Sequence, residues 1–554
     1  MRGRDIFLQS LAAHRVRQIF GNPGTTESPL LDSLHAYPDI GYTVALHEGV
    51  ALGAASFYAQ ASGRTGVVNL HVAPGLGNAI GMLYGALKAN SPMLVTAGQQ
   101  DTRMRLRGPV LGHDLVAMAA PVTKWSVQVE RADEMADILR RAFKIANDPP
   151  AGPVFVALPI NVMEQESLLP PASASPLYHA ATADAAGIDA VAHHLRAARA
   201  PAIVVGDDVA RAGATDALIG LAETIGAPVW FEGLHQHSSV PSAHPNVRGG
   251  LPFEATGIAR ALGDADAVLL VGGPFFEEVW FAEGEPFPTG ASVLQIEQSP
   301  ELLSQNYPLA AGVVGALRPA LTMLRQRLDD AADDGYRTAA VARNQAWSSL
   351  KEEEGAAQKG RVERARARRP MAMALTMATL ADALPAEAVI VEEAITASLD
   401  LARSFDFSGP GDYFSGRGGG IGQGLAGALG VQQALPDRRV VCVSGDGSAM
   451  YSIQALWTAA HHRLPIIFVV LANREYRVLK HNIDVYRQRF DIESNQPYPL
   501  MDLTGPALGF VELAAGMGVA GRRVEEPEDL AAAVAEALAS DAPYMIEVAI
   551  EGKP

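Results

Sequence analysis

The stretch from Arg439 to Arg477, RVVCVSGDGSAMYSIQALWTAAHHRLPIIFVVLANREYR, limits what the chain can fold into more than any other. Val440-Val441-Cys442-Val443 is an apolar, β-branched run suited to a strand buried on both faces, and Gly445-Asp446-Gly447 halts it. Ile453, Leu456, Trp457 and Ala460 follow at helical spacing, and Pro465 to Leu471 reads as a second buried strand that delivers Asn473 at its far end. Such a β-α-β unit has parallel strands, and the loops that carry Asp446 and Asn473 emerge on one edge.

That edge is where open parallel sheets bind ligands. A carboxylate and a carboxamide offer hard oxygen, which suits Mg²⁺, an ion that takes one or two protein carboxylates and completes its shell with phosphate oxygens and water. Gly447 and Ser448 open the next helix, so their N–H groups can face a diphosphate. The competing reading is a tight turn in which Asp446 only caps that helix.

The whole chain has 554 residues, enough for three or four domains, and 48% hydrophobic residues, enough for large cores. A formal charge of −17 argues against a nucleic-acid partner. The one cysteine, Cys442, lies in the apolar strand, so no internal disulfide forms and a reducing compartment is expected. Met1 to Asp5 runs straight into an amphipathic pattern without a signal peptide, and no apolar run approaches the ~20 residues that cross a bilayer. The expectation is a soluble, cytoplasmic protein with no membrane partner.

Strand patterns alternate with helical ones throughout, which predicts an α/β protein of three parallel-sheet domains over residues 1–170, 188–335 and 365–554. In the first, Ile19-Phe20 is stopped by Gly21-Asn22-Pro23-Gly24, after which Thr25 or Thr26 can cap a helix. Tyr42 to Leu46 ends in His47-Glu48, Gly66 to Val72 in a Gly-rich loop, and Pro92 to Ala97 in Gly98-Gln99-Gln100. A Pro/Ala/Ser-rich linker spans 167–187, and a charged, helix-prone connector spans 330–370 and ends in a basic run that reads as a solvated helix face. No Gly-x-Gly-x-x-Gly follows any strand of the second region.

Gly-Asp-Gly followed by Asn473, 27 positions after Asp446, resembles the cofactor signature of thiamine diphosphate (ThDP) enzymes. The family's usual Asn-Asn is Ala472-Asn473 here, and the second Asn is the one that binds metal. FGNPGTTESP (20–29), Leu46-His47-Glu48, NLHVAPGLGN (69–78), TAGQQ (96–100) and GSAMYSIQALWTAA (447–460) are similar to the benzoylformate decarboxylase group of that family. The resemblance implies a pyrimidine-binding first domain, a Rossmann-like middle domain and a diphosphate-binding third domain. It also implies a homodimer or homotetramer with the cofactor between subunits.

The same resemblance implies that Asp446, Asn473 and the main-chain carbonyl of Glu475 hold Mg²⁺. Glu48 would hydrogen-bond the aminopyrimidine and favour its imino form, Ile421 would bend the cofactor from beneath, and the Gly419 carbonyl would accept from its amino group. Thr396, Gly445, Gly447, Ser448 and Tyr451 would line the diphosphate side. Thr25 and His71 would face the substrate, His71 because imidazole exchanges protons near neutral pH; Gln99 and Gln100 are further candidates.

Two departures are visible. The family group has a second histidine after a Gly-x-Pro stretch in its middle domain, whereas Gly273 to Trp280 contains none, so that Glu277 is a candidate substitute. The segment after Lys480 is long and charged, and is expected to form a lid or a solvated loop with Glu493 as a candidate acid/base group. The implied activity is decarboxylation of a small 2-oxo acid, by ylid attack, CO₂ loss and enamine protonation. The alternatives are a ThDP-dependent C–C lyase or carboligase acting on 2-hydroxyacyl-CoA or making acetolactate, and a catalytically silent ThDP-fold protein, against which the retained Glu48, Asp446 and Asn473 weigh.

Overall fold

The computed structural model describes residues 1–171, 174, 180–277, 280–281 and 283–552. Parts of the expected linker (172–173 and 175–179), and Glu278 and Val279, lie outside them. Two compact units are present, one made of residues 1–176, 365–401 and 415–554, the other of 177–364 and 402–414.

The first unit holds two sheets. One contains β1 (Gln18–Gly21), β2 (Gly41–Val44), β3 (Gly66–Leu70), β4 (Met93–Gln99), β5 (Trp125–Gln128) and β6 (Pro153–Pro159), in the order β2-β1-β3-β4-β6-β5. The second unit's sheet contains β7 (Pro201–Val205), β8 (Val229–Phe231), β9 (Val247–Gly250), β10 (Ala267–Val271), β11 (Ser292–Glu297) and β12 (Ala311–Val314), in the order β12-β11-β10-β7-β8-β9. The third sheet is formed by β13 (Val389–Glu393), β14 (Tyr413–Ser415), β15 (Val440–Gly445), β16 (Ile467–Ala472), β17 (Ala520–Val524) and β18 (Tyr544–Ala549), in the order β14-β13-β15-β16-β18-β17. All three sheets are six-stranded and parallel, as the alternating strand and helix patterns predict. Numbered from their own first strands, the first and third sheets share one order.

Two helices explain why the first and third regions form one unit. Helix α1 (Glu48–Ser62) packs against α4 (Gln423–Ala434), and both are built largely from small residues. At the crossing a Cβ on Gly53 would lie 2.8 Å from Ala426 Cβ, one on Gly427 2.6 Å from the Phe57 ring, and one on Gly430 1.9 Å from the Ala54 carbonyl oxygen. Only glycine lets the backbones approach this closely. Helix α2 (Val72–Lys88) lies against α1.

In the second unit, Leu195, Leu221, Leu269 and Leu324 belong to the core on one face of the sheet. The long helix α3 (Asp334–Ala365) is fixed to it by Arg343 and Trp347, which donate to the carbonyls of Ile225 (2.7 Å) and Gly226 (3.1 Å) where the helix Thr215–Ile225 ends. Segment 402–414, inside the expected third domain, joins this unit through paired backbone and hydroxyl bonds between Ser242 and Phe407. The basic run beyond α3 is solvated in part, and Arg369 donates to Glu526 at 2.7 Å. No helix among the described residues is long and apolar enough to cross a membrane.

Candidate active site

On the carboxyl edge of the first sheet, β1, β3 and β4 are neighbours, and their loops bring three chemistries together. The turn Thr25–Glu27 after β1 buries Glu27, whose Oε1 accepts from Gly98 N of β4 (3.0 Å) and the Thr26 hydroxyl (2.7 Å), and whose Oε2 accepts from Gly24 N (2.8 Å). His71, at the end of β3 and the cap of α2, places Nδ1 2.8 Å from Glu27 Oε2. An anion that already accepts three donors acts as acceptor here too, so Nδ1 carries the hydrogen and Nε2 is left to exchange a proton. A Cβ on Gly24 would lie 2.2 Å from the imidazole, so this loop closes on the ring only with glycine.

The threonines divide differently from the sequence expectation. Neither caps a helix: the turn is capped at Gly24 through Glu27. Thr26, not Thr25, has its hydroxyl near the imidazole (3.4 Å from Nδ1), whereas Thr25 is exposed. Gln99 is committed to the His113 carbonyl (2.8 Å) and Gln100 to that of Val110 (2.9 Å), so both hold the loop beyond β4.

Glu48 is buried in the first turn of α1. Its two oxygens accept from Asn22 Nδ2 (3.3 Å) and Asn78 Nδ2 (3.0 Å), which fix the carboxylate from the loop after β1 and from α2, the helix that stands where a Gly-rich loop was expected after β3. His47 caps the same helix by accepting from Gly49 N (3.0 Å).

The third sheet presents Glu393, Asp446 and Asn473 beyond three adjacent strands, β13, β15 and β16. Gly445 and Leu471 are in register, so Asp446 and the Asn473 loop leave the sheet side by side. Asp446 Oδ1 accepts from Gly447 N (2.8 Å) and Oδ2 from Arg474 N (2.6 Å), so the carboxylate bridges the two loops instead of capping a helix from outside it. Burial pushes its carboxyl up to about 6 against the pull of these N–H groups, and Glu475 adds to the rise. A buried carboxylate beside a second one, with no cationic side chain paired to it among the described residues, fits a metal cation. The Asn473 amide oxygen accepts from Glu475 N (3.0 Å), and with the main chain at Glu475 the donor set is all hard oxygen with one carboxylate.

Ser448 and Gly447 are buried beside Asp446, and a Cβ on Gly447 would lie 2.5 Å from the Tyr476 ring. Thr396 is half-buried in the turn Ile395–Ala397 after β13, and Tyr451 is exposed. Gly419 (φ 74°) and the half-buried Ile421 lie on the glycine-rich loop before α4, against Met82 and Tyr84 of α2 at neighbouring glycines.

The segment after Lys480, expected to be a lid or a solvated loop, continues a helix, α5 (Arg477–Arg489), and then runs on without regular structure. Its base is closed by Tyr476 N to Met501 O and Leu503 N to Arg474 O, each 2.8 Å, and by Lys480, which pairs with Glu475 and Asp502. Glu493 is exposed beyond α5, and Glu277 is half-buried in the other unit.

The chain belongs to the thiamine pyrophosphate (ThDP) enzymes. Residues 1–118 match the N-terminal TPP binding domain of that family, 188–324 its central domain and 393–548 its C-terminal TPP binding domain. Among relatives, benzoylformate decarboxylase of Pseudomonas aeruginosa is 33% identical over 97% of both chains. Acetolactate synthase isozyme 3 large subunit of Escherichia coli is 29% identical over 97% of this chain and 92% of its own. The solved ThDP-dependent 4-hydroxybenzoylformate decarboxylase of Rhodococcus jostii superposes with a TM-score of 0.87 at 29% identity, covering 100% of this chain and 99% of that one.

Proposed function

We propose that the protein is a ThDP- and Mg²⁺-dependent decarboxylase of a small 2-oxo acid, working as a homodimer or homotetramer with the cofactor between copies. Bound ThDP supplies a nucleophilic carbon and an acceptor for the electron pair that CO₂ leaves behind. Asp446, Asn473 and the Glu475 carbonyl hold Mg²⁺ and with it the diphosphate, while the N–H groups of Gly447 and Ser448, Thr396, Gly445 and Tyr451 line that end. Glu48, oriented by Asn22 and Asn78, would hold the aminopyrimidine ring, and Gly419 and Ile421 would support the cofactor. Thr25 and Thr26 border the substrate, and His71 Nε2 returns a proton to the substrate carbon.

The observation that carries this choice is the Glu27–His71 pair. An aldehyde product needs a proton after CO₂ leaves, and a buried carboxylate that fixes Nδ1–H keeps Nε2 poised to deliver it. The second reading, a C–C lyase or carboligase, draws on the similarity to acetolactate synthases. The test supplies ThDP, Mg²⁺ and a panel of aromatic and aliphatic 2-oxo acids, and measures CO₂ and products. One aldehyde per CO₂, lost in His71→Ala, supports the decarboxylase; acetolactate or a C–C condensation product with little free aldehyde supports the second reading.

A further inference from the structure

The segment Gly416–Gly422 contains five glycines and little side chain with which to fix itself, yet it is held on both sides of Ile421. On one side Gln423 Nε2 folds back and donates to the carbonyls of Gly420 (2.7 Å) and Arg417 (3.0 Å). On the other, Glu393 at the end of β13 reaches the start of α4. Its Oε1 accepts from Gly422 N (2.7 Å) and Gln423 N (3.0 Å), and its Oε2 from Gly424 N (2.9 Å). Both chain neighbours of Ile421 are therefore tied, one through its carbonyl and the other through its N–H.

Glycines make the clamp possible. Gly422 has φ 94°, and a Cβ there would lie 2.5 Å from Tyr451; a Cβ on Gly424 would lie 2.9 Å from Glu393 Cβ, and one on Gly416 2.8 Å from the Gln423 amide carbon. A surface helix is capped by a short polar side chain at its own start. Here a buried carboxylate from a neighbouring strand does it, at the desolvation cost that a buried anion carries. We propose that Glu393 and Gln423 are positioning residues that set the height and direction of Ile421 under the cofactor, an inference that rests on the reading of this loop as the ThDP support.

Protonation of Glu393 would weaken the clamp, because the added hydrogen takes up a lone pair on one oxygen and turns a donor towards the N–H groups around it. Burial pushes that carboxyl up to about 7 and the neighbouring Glu392 adds to the rise, while the three N–H groups pull it down. On the two strands beside β13 the titratable side chains are Cys442 of β15 and Tyr413 of β14.

The experiment uses the full chain with ThDP and Mg²⁺, and compares wild type with Glu393→Gln and Gln423→Leu. It measures ThDP affinity by fluorescence quenching, hydrogen–deuterium exchange at the cofactor's C2 by NMR, and the thermal unfolding midpoint. The expected result is exchange slowed at least about tenfold in each variant, with ThDP affinity changed less than about threefold and the midpoint nearly unchanged. The wild-type advantage over Glu393→Gln should also shrink as pH falls below about 7. Unchanged exchange in both variants overturns the proposal, as does a loss of exchange that only tracks a fall in the midpoint. If wild type takes up no ThDP, the functional reading fails and the inference falls with it.

Discussion

Gly430 is the most demanding contact between the two halves of the first unit, and Gly430→Ala measures it. The added methyl would lie 1.9 Å from the Ala54 carbonyl oxygen and 2.7 Å from Tyr58 N, against a floor of 3.0 Å for such contacts. Both partners are helical backbone in α1, so no side chain can turn aside, and the helices must part by about 1 Å. Overpacking of this kind costs ~1–3 kcal/mol, and a gap of that width forfeits about a quarter to a half of the dispersion energy along the seam. The expected loss is at the upper end, about 3 kcal/mol, and in a unit of this size the thermal midpoint should fall by about 4 °C. Because Glu48 opens α1 and Gln423 opens α4, ThDP-dependent turnover should fall too. The control is Gly355→Ala on the exposed face of α3, where an added Cβ meets nothing within 4 Å; it should stabilise by about 1 kcal/mol. A Gly430→Ala protein that unfolds at the wild-type temperature would refute the close crossing, as would an equal loss in both variants.

Glu48→Gln keeps the size of the side chain but removes its charge. It should slow exchange at the cofactor's C2 by ~10²–10⁴-fold with ThDP affinity nearly unchanged, and wild-type exchange would count against the assigned role. Asp446→Asn removes the one carboxylate of the proposed Mg²⁺ set and should weaken Mg²⁺-dependent ThDP uptake by at least about tenfold, which calorimetry would show. His237, in the second unit, is held down to about 4, first by burial and then by Arg211 and His235, against Asp207. Its unfolded value is about 6.5, so the unfolded chain takes the proton more readily. The stability it contributes is full above pH 6.5 and is lost as pH falls towards 4, by up to roughly 3 kcal/mol. His237→Gln should flatten the urea-midpoint profile across that window, and an unchanged slope would assign the acid sensitivity elsewhere.

The strands were legible because β-branched runs such as Val440–Val443 are stopped by glycine, and the pattern around Asp446 and Asn473 was enough to place their loops beyond adjacent parallel strands. Glu27, Glu393 and Gln423 were not, for one physical reason: each acts across strands or loops whose adjacency depends on sheet order. Glu27 follows β1 yet bonds His71 after β3 and Gly98 in β4, which follows from the order β1-β3-β4 and from no local pattern. The shared topology of the first and third sheets was equally hidden, since it is written in strand order and not in repeated residues. It also arranges the site. In each of these two sheets the first strand leads to a buried carboxylate that organises the edge, Glu27 or Glu393, and the third strand is followed by a residue that the proposed function uses, His71 or Asp446. Two copies of one strand order thus carry two kinds of edge, one presenting an imidazole held by a buried carboxylate and one presenting a carboxylate and a carboxamide on adjacent loops. The α1–α4 crossing that joins them is where a single methyl group should disturb both.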